Sequence, residues 1–214
     1  MNRRRVLVLA AGTAALTAGC LSDTESPSET TQQSSESRTE PPHQTTDPEI
    51  QTIAGNPPDA AVDCSDDTVE PVFVAGSETL SERVAGIELT ASTEAVTLGD
   101  DIGFSLRNVD DQTHLLGTPY KYEIHRREND EWIPVYHTDH FEWIDEGIEV
   151  APDDGFDWAF TVAREGLQRE NHQNSAYYVC SPIESGTYRF VYWGIVEADG
   201  GAEALAATFA VEDS

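Results

Sequence analysis

Residues 98–134 read LGDDIGFSLRNVDDQTHLLGTPYKYEIHRRENDEWIP, and this stretch decides the fold class. Ile102, Phe104 and Leu106 alternate with Gly103, Ser105 and Arg107, the period of a strand that turns one face toward a core. Tyr120, Tyr122 and Ile124 then alternate with Lys121, Glu123 and His125. Glu128-Asn129-Asp130 supplies turn residues, and the run 132–137 returns as the second arm of a hairpin.

The same pattern continues on both sides. Residues 84–92 form an earlier run. Phe156, Trp158, Phe160 and Val162 form a later one. Residues 187–196 are long and aromatic, and Asp199-Gly200-Gly201 turns them into 204–211. Seven or eight period-2 strands with turn-rich gaps predict an all-β antiparallel sandwich over residues 59–214. The polar stretch 164–174 reads as a loop with at most one helical turn.

Short motifs within this pattern resemble a bacterial Ig-like domain found in many secreted and anchored proteins. They are the turn Leu98-Gly99-Asp100, then Asn108 at a strand end, then Gly117, Tyr120 and Trp132. Val150-Ala151-Pro152 and the run Ser185-Gly186-Thr187-Tyr188-Arg189-Phe190 also match. The resemblance covers residues 84–211 and departs from the family in a longer insert, 164–181, that carries a cysteine. It implies an immunoglobulin-like sandwich with a binding or scaffolding role and no catalytic residues to carry over.

The amino end carries a different signal. Arg3, Arg4 and Arg5 precede an uncharged apolar stretch, Val6 to Ala18, too short for a bilayer span of about 20 residues but suited to a signal-peptide core. The arginines before Val6 and Leu7 resemble a twin-arginine export signal. Leu16-Thr17-Ala18-Gly19-Cys20 resembles a lipobox, in which cleavage leaves Cys20 as the lipidated amino end. Residues 1–19 are thus expected to be a signal peptide, and the membrane is the partner expected through Cys20. Residues 21–58 hold 19 Ser, Thr or Pro in 38 positions. So few large apolar groups cannot offset chain entropy, so residues 20–58 are expected to be a disordered tether.

Charge narrows the partners. The chain has 214 residues, 12 Lys or Arg against 40 Asp or Glu, and a net charge of −28. Loss of Arg3, Arg4 and Arg5 takes the 12 basic residues to 9 and the charge from −28 to −31. Such a chain lacks the clustered cations that phosphates require, so no nucleic-acid partner is expected. An acidic surface with one lysine, Lys121, resembles proteins of extremely halophilic archaea.

Cys64 and Cys180 remain after Cys20 is assigned to lipid, and in an exported domain they favour a disulfide. The rival use of Cys180 is metal or redox chemistry. Tyr177-Tyr178-Val179-Cys180-Ser181-Pro182 looks like a cupredoxin ligand loop, yet the histidine position holds Ile183 and the sole methionine is Met1. His137 and His140 have a spacing that could chelate a metal at a bend, with His125 and His172 joining only if loops meet. Acid pairs at Asp66-Asp67, Asp100-Asp101, Asp110-Asp111 and Asp153-Asp154 could hold Ca²⁺ at loop tips, although 40 acids make such pairs common. Gly-x-Ser-x-Gly, HExxH and phosphate-loop motifs are absent. Trp132, Tyr136, Phe141, Trp143 and Trp193 are divided between core and a surface that could take sugar or protein. The expectation is therefore a cell-surface lipoprotein on the extracellular face of the membrane, non-catalytic and without a cofactor, that binds a protein or polysaccharide.

One prediction follows from the charge alone. At about 1 M salt the Debye length is roughly 3 Å and self-repulsion is screened. Transfer to dilute buffer is expected to unfold the domain, seen as loss of the β-sheet circular-dichroism signal; a domain equally stable in both would defeat the halophilic reading.

Overall fold

A computed structural model describes residues 49–54, 64, 69–76, 79–138, 146–167, 177–196 and 202–213. The described residues are all β, with no helix. In chain order the strands are β1 (Ile50–Ala54), β2 (Glu70–Pro71), β3 (Arg83–Val84), β4 (Ile87–Ala91), β5 (Ala95–Thr97), β6 (Asp101–Asn108), β7 (His114–Gly117) and β8 (Tyr122–Glu128). They continue as β9 (Glu131–Pro134), β10 (Tyr136–Thr138), β11 (Gly147–Val150), β12 (Gly155–Ala163), β13 (Gly166–Leu167), β14 (Tyr177–Val179), β15 (Gly186–Val196) and β16 (Ala202–Glu212).

The long strands are those the alternation predicts, and β6 contains all six residues of the alternating run 102–107. Two sheets form the sandwich. One runs β1-β12-β6-β4-β3, with β13 added to the end of β12. The other runs β9-β8-β15-β16-β5, with β7 and β11 continuing from the far end of β15. Most pairs are antiparallel, but β1 lies parallel to β12 and β5 parallel to β16. A third small sheet, β14-β10-β2, sits beside them.

Turn chemistry sets the hairpins. Asn129 and Asp130 both have positive φ, 48° and 69°, which gives the tight turn whose twist suits β8 and β9. One extra residue between Tyr192 and Ile195, relative to β16, forms a bulge. There the partner of β15 changes from β8 to β7.

The core lies between the two large sheets. Leu89, Phe104, Leu106, Phe156, Trp158 and Phe160 face it from one side. Tyr122, Ile124, Phe190, Tyr192, Leu205 and Phe209 face it from the other. Phe190 is the centre of contact. Its ring stacks on Phe104 at 4.3 Å and on Tyr122 at 5.1 Å, and Trp158 meets it at 4.9 Å. The polar ends of the aromatics reach backbone at the rim. Trp158 Nε1 donates to the Pro119 carbonyl at 2.9 Å, and the Tyr192 hydroxyl donates to Gly117 at 2.7 Å. The Tyr188 hydroxyl donates to the Glu184 carbonyl at 2.8 Å, closing a corner before β15.

Asn108 is fully buried and ties two loops together. Its Nδ2 donates to the carbonyls of Gln112 and Val150, and its Oδ1 accepts the Asp110 N–H.

Three expectations need correction. Residues 50–54 do not belong to a disordered tether: they form β1, with Ile53 packed on the core. The seven or eight strands expected are joined by short ones, β7, β11, β13 and β14 among them, too short for a period to register. Residues 166–167 within the expected loop 164–174 form β13 on β12, where Leu167 is buried. The signal peptide, Cys20 and the tether up to residue 48 lie outside the described residues, as do Phe141, Trp143 and the turn at Asp199-Gly200-Gly201.

Phe190→Ala would empty the ring cluster between the sheets. The expected loss is about 3–5 kcal/mol in denaturant unfolding. A loss under about 1 kcal/mol would show that the two sheets do not close on this side chain.

Candidate functional site

The alternation in β8 and β15 leaves a second row of side chains on the sheet face away from the sandwich core. Glu123 and His125 come from β8, Lys121 from the residue just before it, and Arg189 and Val191 from β15. The register places Arg189 opposite His125 and Val191 opposite Glu123. All five are buried, Glu123 and His125 at 0% exposure.

A strap, residues 72–76, lies against Glu123, His125 and Arg189. It leaves β2 with Val72 buried and its N–H bonded to the Tyr136 carbonyl at 2.8 Å. The Val74 and Ala75 N–H groups then donate to the two oxygens of the Glu123 carboxylate, at 2.9 and 2.8 Å. Arg189 closes the other end. One of its terminal nitrogens donates to the Gly76 carbonyl at 2.8 Å, and its Nε donates to His125 Nδ1 at 2.9 Å. Gly76 has a φ of 64°, the left-handed region glycine occupies without strain.

The acceptor role of Nδ1 fixes the imidazole. It is neutral and carries its proton on Nε2, 3.2 Å from a Glu123 oxygen but out of line for a good hydrogen bond. Burial lowers the His125 pKa, and Arg189 lowers it further against the pull of Glu123. Burial also brings Arg189 down to about 10, still cationic at neutral pH, with Glu123 acting to raise it. The Phe73 ring meets the His125 ring edge-on at 4.8 Å, and the Arg189 guanidinium lies 4.5 Å from the centre of Trp132. Arg127 approaches the same indole at 5.6 Å, and Lys121 approaches Trp193 at 5.4 Å.

This arrangement has charge and precise geometry but no nucleophile and no open space. Chemically it is a clamp: a carboxylate and a guanidinium holding a backbone segment across a sheet.

Cys64 and Cys180 are joined in a disulfide, with Cα atoms 5.4 Å apart. The bond ties the chain ahead of β2 and the strap to the end of β14, whose Val179 pairs with Tyr136. It also occupies the sulfur that a copper site would need as thiolate. Cys180 lines a cleft of about 70 Å³ with Arg126, His137, Pro182, Ile183 and Tyr188. This is well below the roughly 300–1,000 Å³ of most small-molecule sites.

Of the four candidate metal histidines, His125 and His137 are described. His125 is enclosed by Glu123, Phe73 and Arg189. His137 is half-buried on β10, where burial lowers its pKa. His140 and His172 lie outside the described residues. Among the described residues no three His, Cys, Asp or Glu side chains converge. The acid pairs are tied locally: Asp110 accepts the Asp111 N–H and pairs with His114 at 3.2 Å, Asp101 accepts the Thr161 hydroxyl, and Asp154 accepts the Glu49 N–H. Asp66 and Asp67 lie outside the described residues. Of the aromatics, Tyr136 is core, while Trp132 and Trp193 are half-buried beside cations.

No family model, no curated protein and no solved structure matches this chain.

Glu123→Ala would leave Arg189 buried without its carboxylate and two strap N–H groups without an acceptor. The expected destabilisation is about 3–5 kcal/mol, read by denaturant unfolding in molar salt. A change within about 0.5 kcal/mol would show that the row contributes nothing to the fold.

Proposed function

We propose that the chain is an exported lipoprotein of a salt-adapted cell, held at the outer face of the membrane by a lipid on Cys20. Its β-sandwich is an immunoglobulin-like module that binds a protein or polysaccharide of the envelope without catalysis. The observation that carries this reading is Leu16-Thr17-Ala18-Gly19-Cys20 at the end of a charged-then-apolar leader. A thiol directly after small residues suits cleavage and alkylation, and the acyl chains take the place of a spanning helix.

Several features support the immunoglobulin-like reading. The strand order β9-β8-β15-β16-β5 faces β12-β6-β4, with β5 parallel to the last strand. Tyr188 closes a corner by bonding four residues back, a habit of such sandwiches. The disulfide departs from that pattern, since it joins the segment between β1 and β2 to the insert rather than the two sheets. The binding role is supported by the chemistry available: buried charges serve as clamps, and the cleft is too small for a substrate of ordinary size. Loop tips and exposed sheet edges remain as contact surfaces, and the serine- and threonine-rich tether sets their distance from the bilayer.

Cys20→Ser removes the only thiol at the processed end. The variant is expected in the soluble fraction, with the unaltered protein in the membrane fraction. Retention of both in the membrane would overturn the anchor.

A further inference from the structure

The clamp on the strap contains a built-in condition. Nδ1 of His125 can accept from Arg189 only while it carries no proton. Protonation there would turn two N–H groups toward each other at 2.9 Å and add a positive charge to a buried site. We infer that residues 72–76 are an acid-released strap, opening from the outer face of β8 and β15 when His125 takes up a proton at Nδ1.

The groups around the imidazole decide the direction. On its own strand, Glu123 is 3.2 Å from Nε2 and favours the charged form, but both its oxygens are already engaged by the Val74 and Ala75 N–H groups. Arg127, also on β8, is exposed and turned to Trp132 and Asp130. From β15 the facing group is Arg189, a fixed cation that opposes a second positive charge. From β9 the neighbours are Trp132 and Pro134, neither of which titrates. The strap itself, Val72 to Gly76, has no titratable side chain. The carboxylate beside the imidazole is thus committed to the strap, and the cation bonded to that ring opposes protonation, while Lys121, further along the row, is turned to Trp193.

The strap is held by the row more than by its own packing. Val72 is buried, but Val74 is 45% exposed and Phe73, Ala75 and Gly76 only half-buried. Loss of the Arg189–His125 bond removes one tie on the guanidinium that also donates to Gly76, and so weakens that end of the clamp. The Cys64–Cys180 bond and β2 keep the released segment attached to the domain. Opening uncovers Val191, Phe73 and His125, an apolar strip with an imidazole, beside Trp132.

The size of the effect follows from proton linkage. The closed strap holds His125 neutral and the open one frees it to titrate near 6.5, so the open state binds more protons and gains as pH falls. Between pH 7.5 and 5.0 the open population is expected to rise by up to roughly 30-fold. The test is hydrogen exchange of the full chain in molar salt at these two pH values, corrected for intrinsic rates. Protection of the 72–76 backbone is expected to fall by about tenfold or more, while β6 and β12 keep theirs. His125→Asn, whose side-chain oxygen can accept from Arg189 but does not titrate, is expected to remove the pH dependence. Equal protection of 72–76 at both pH values would overturn the inference, as would loss of protection in all strands together. If the variant does not fold, NMR titration of His125 in the unaltered chain decides. Proton uptake must follow the loss of 72–76 protection; uptake with the strap still protected would overturn the inference too. The test does not involve Cys20, so its outcome is separate from that of the anchor.

Discussion

The fold depends on one strand being buried on both faces. In β15, Phe190 points into the sandwich and closes the two sheets on one another, while its neighbour Arg189 points the other way into a second, thinner layer. Consecutive side chains of a strand must alternate, so the sequence Tyr188-Arg189-Phe190-Val191-Tyr192 can satisfy two environments only if both are interiors. The inner one is aromatic and needs only shape. The outer one contains a guanidinium, and a buried cation must find its partners within hydrogen-bonding reach. His125 and the Gly76 carbonyl meet that need, and the Glu123 charge lies close by. The strap is therefore the condition under which Arg189 can be in the middle of the sheet.

This explains which parts of the structure were legible in the sequence. The inner faces were. Ile102, Phe104 and Leu106, or Phe156, Trp158 and Phe160, alternate cleanly because a two-sheet core rewards only that period. The turn at Asn129-Asp130 was legible too, since few residues take positive φ in succession. The outer row was not. Lys121, Glu123 and His125 have the composition of a solvated face, and periodicity records only that they lie opposite Tyr122 and Ile124. Their burial comes from residues 72–76, some 50 positions earlier and without any strand pattern. A contact so distant in sequence leaves no local trace. A weak signal did exist: Glu123 and Arg189, on two strands already expected in the core of the fold, are charged residues flanked on both sides by large apolar ones.

The remaining misreadings have the same origin. Residues 50–54 looked like tether because their composition continues it, yet five residues suffice to add a parallel strand to β12 when its edge is free. His137 is on a strand whose register sets it opposite Tyr178 and Pro71. The cysteine pairing was legible, because in a chain with three cysteines and one claimed by the amino end only one partner remains. Where that bond sits was not. It secures the approach to the strap, so that one covalent link and one polar clamp act on the same segment.

Salt gives these two kinds of electrostatics different weights. At molar ionic strength the exposed pairs, Arg126 with Glu184 or Arg127 with Asp130, are screened within a few ångströms and contribute little. The row under the strap is buried, with Glu123, His125 and Arg189 at 1% exposure or less, so bulk ions have little access to it. In a protein with so few cations, Arg189 in the interior therefore acts where bulk salt cannot weaken it. A polar lock of this kind keeps its strength in the medium that erases surface ion pairs, and it yields to a proton, which can neutralise or charge a group without having to bring a counterion inside. That asymmetry is the physical reason a buried histidine, and not a surface cluster, is the place where a strongly acidic domain can respond to its surroundings.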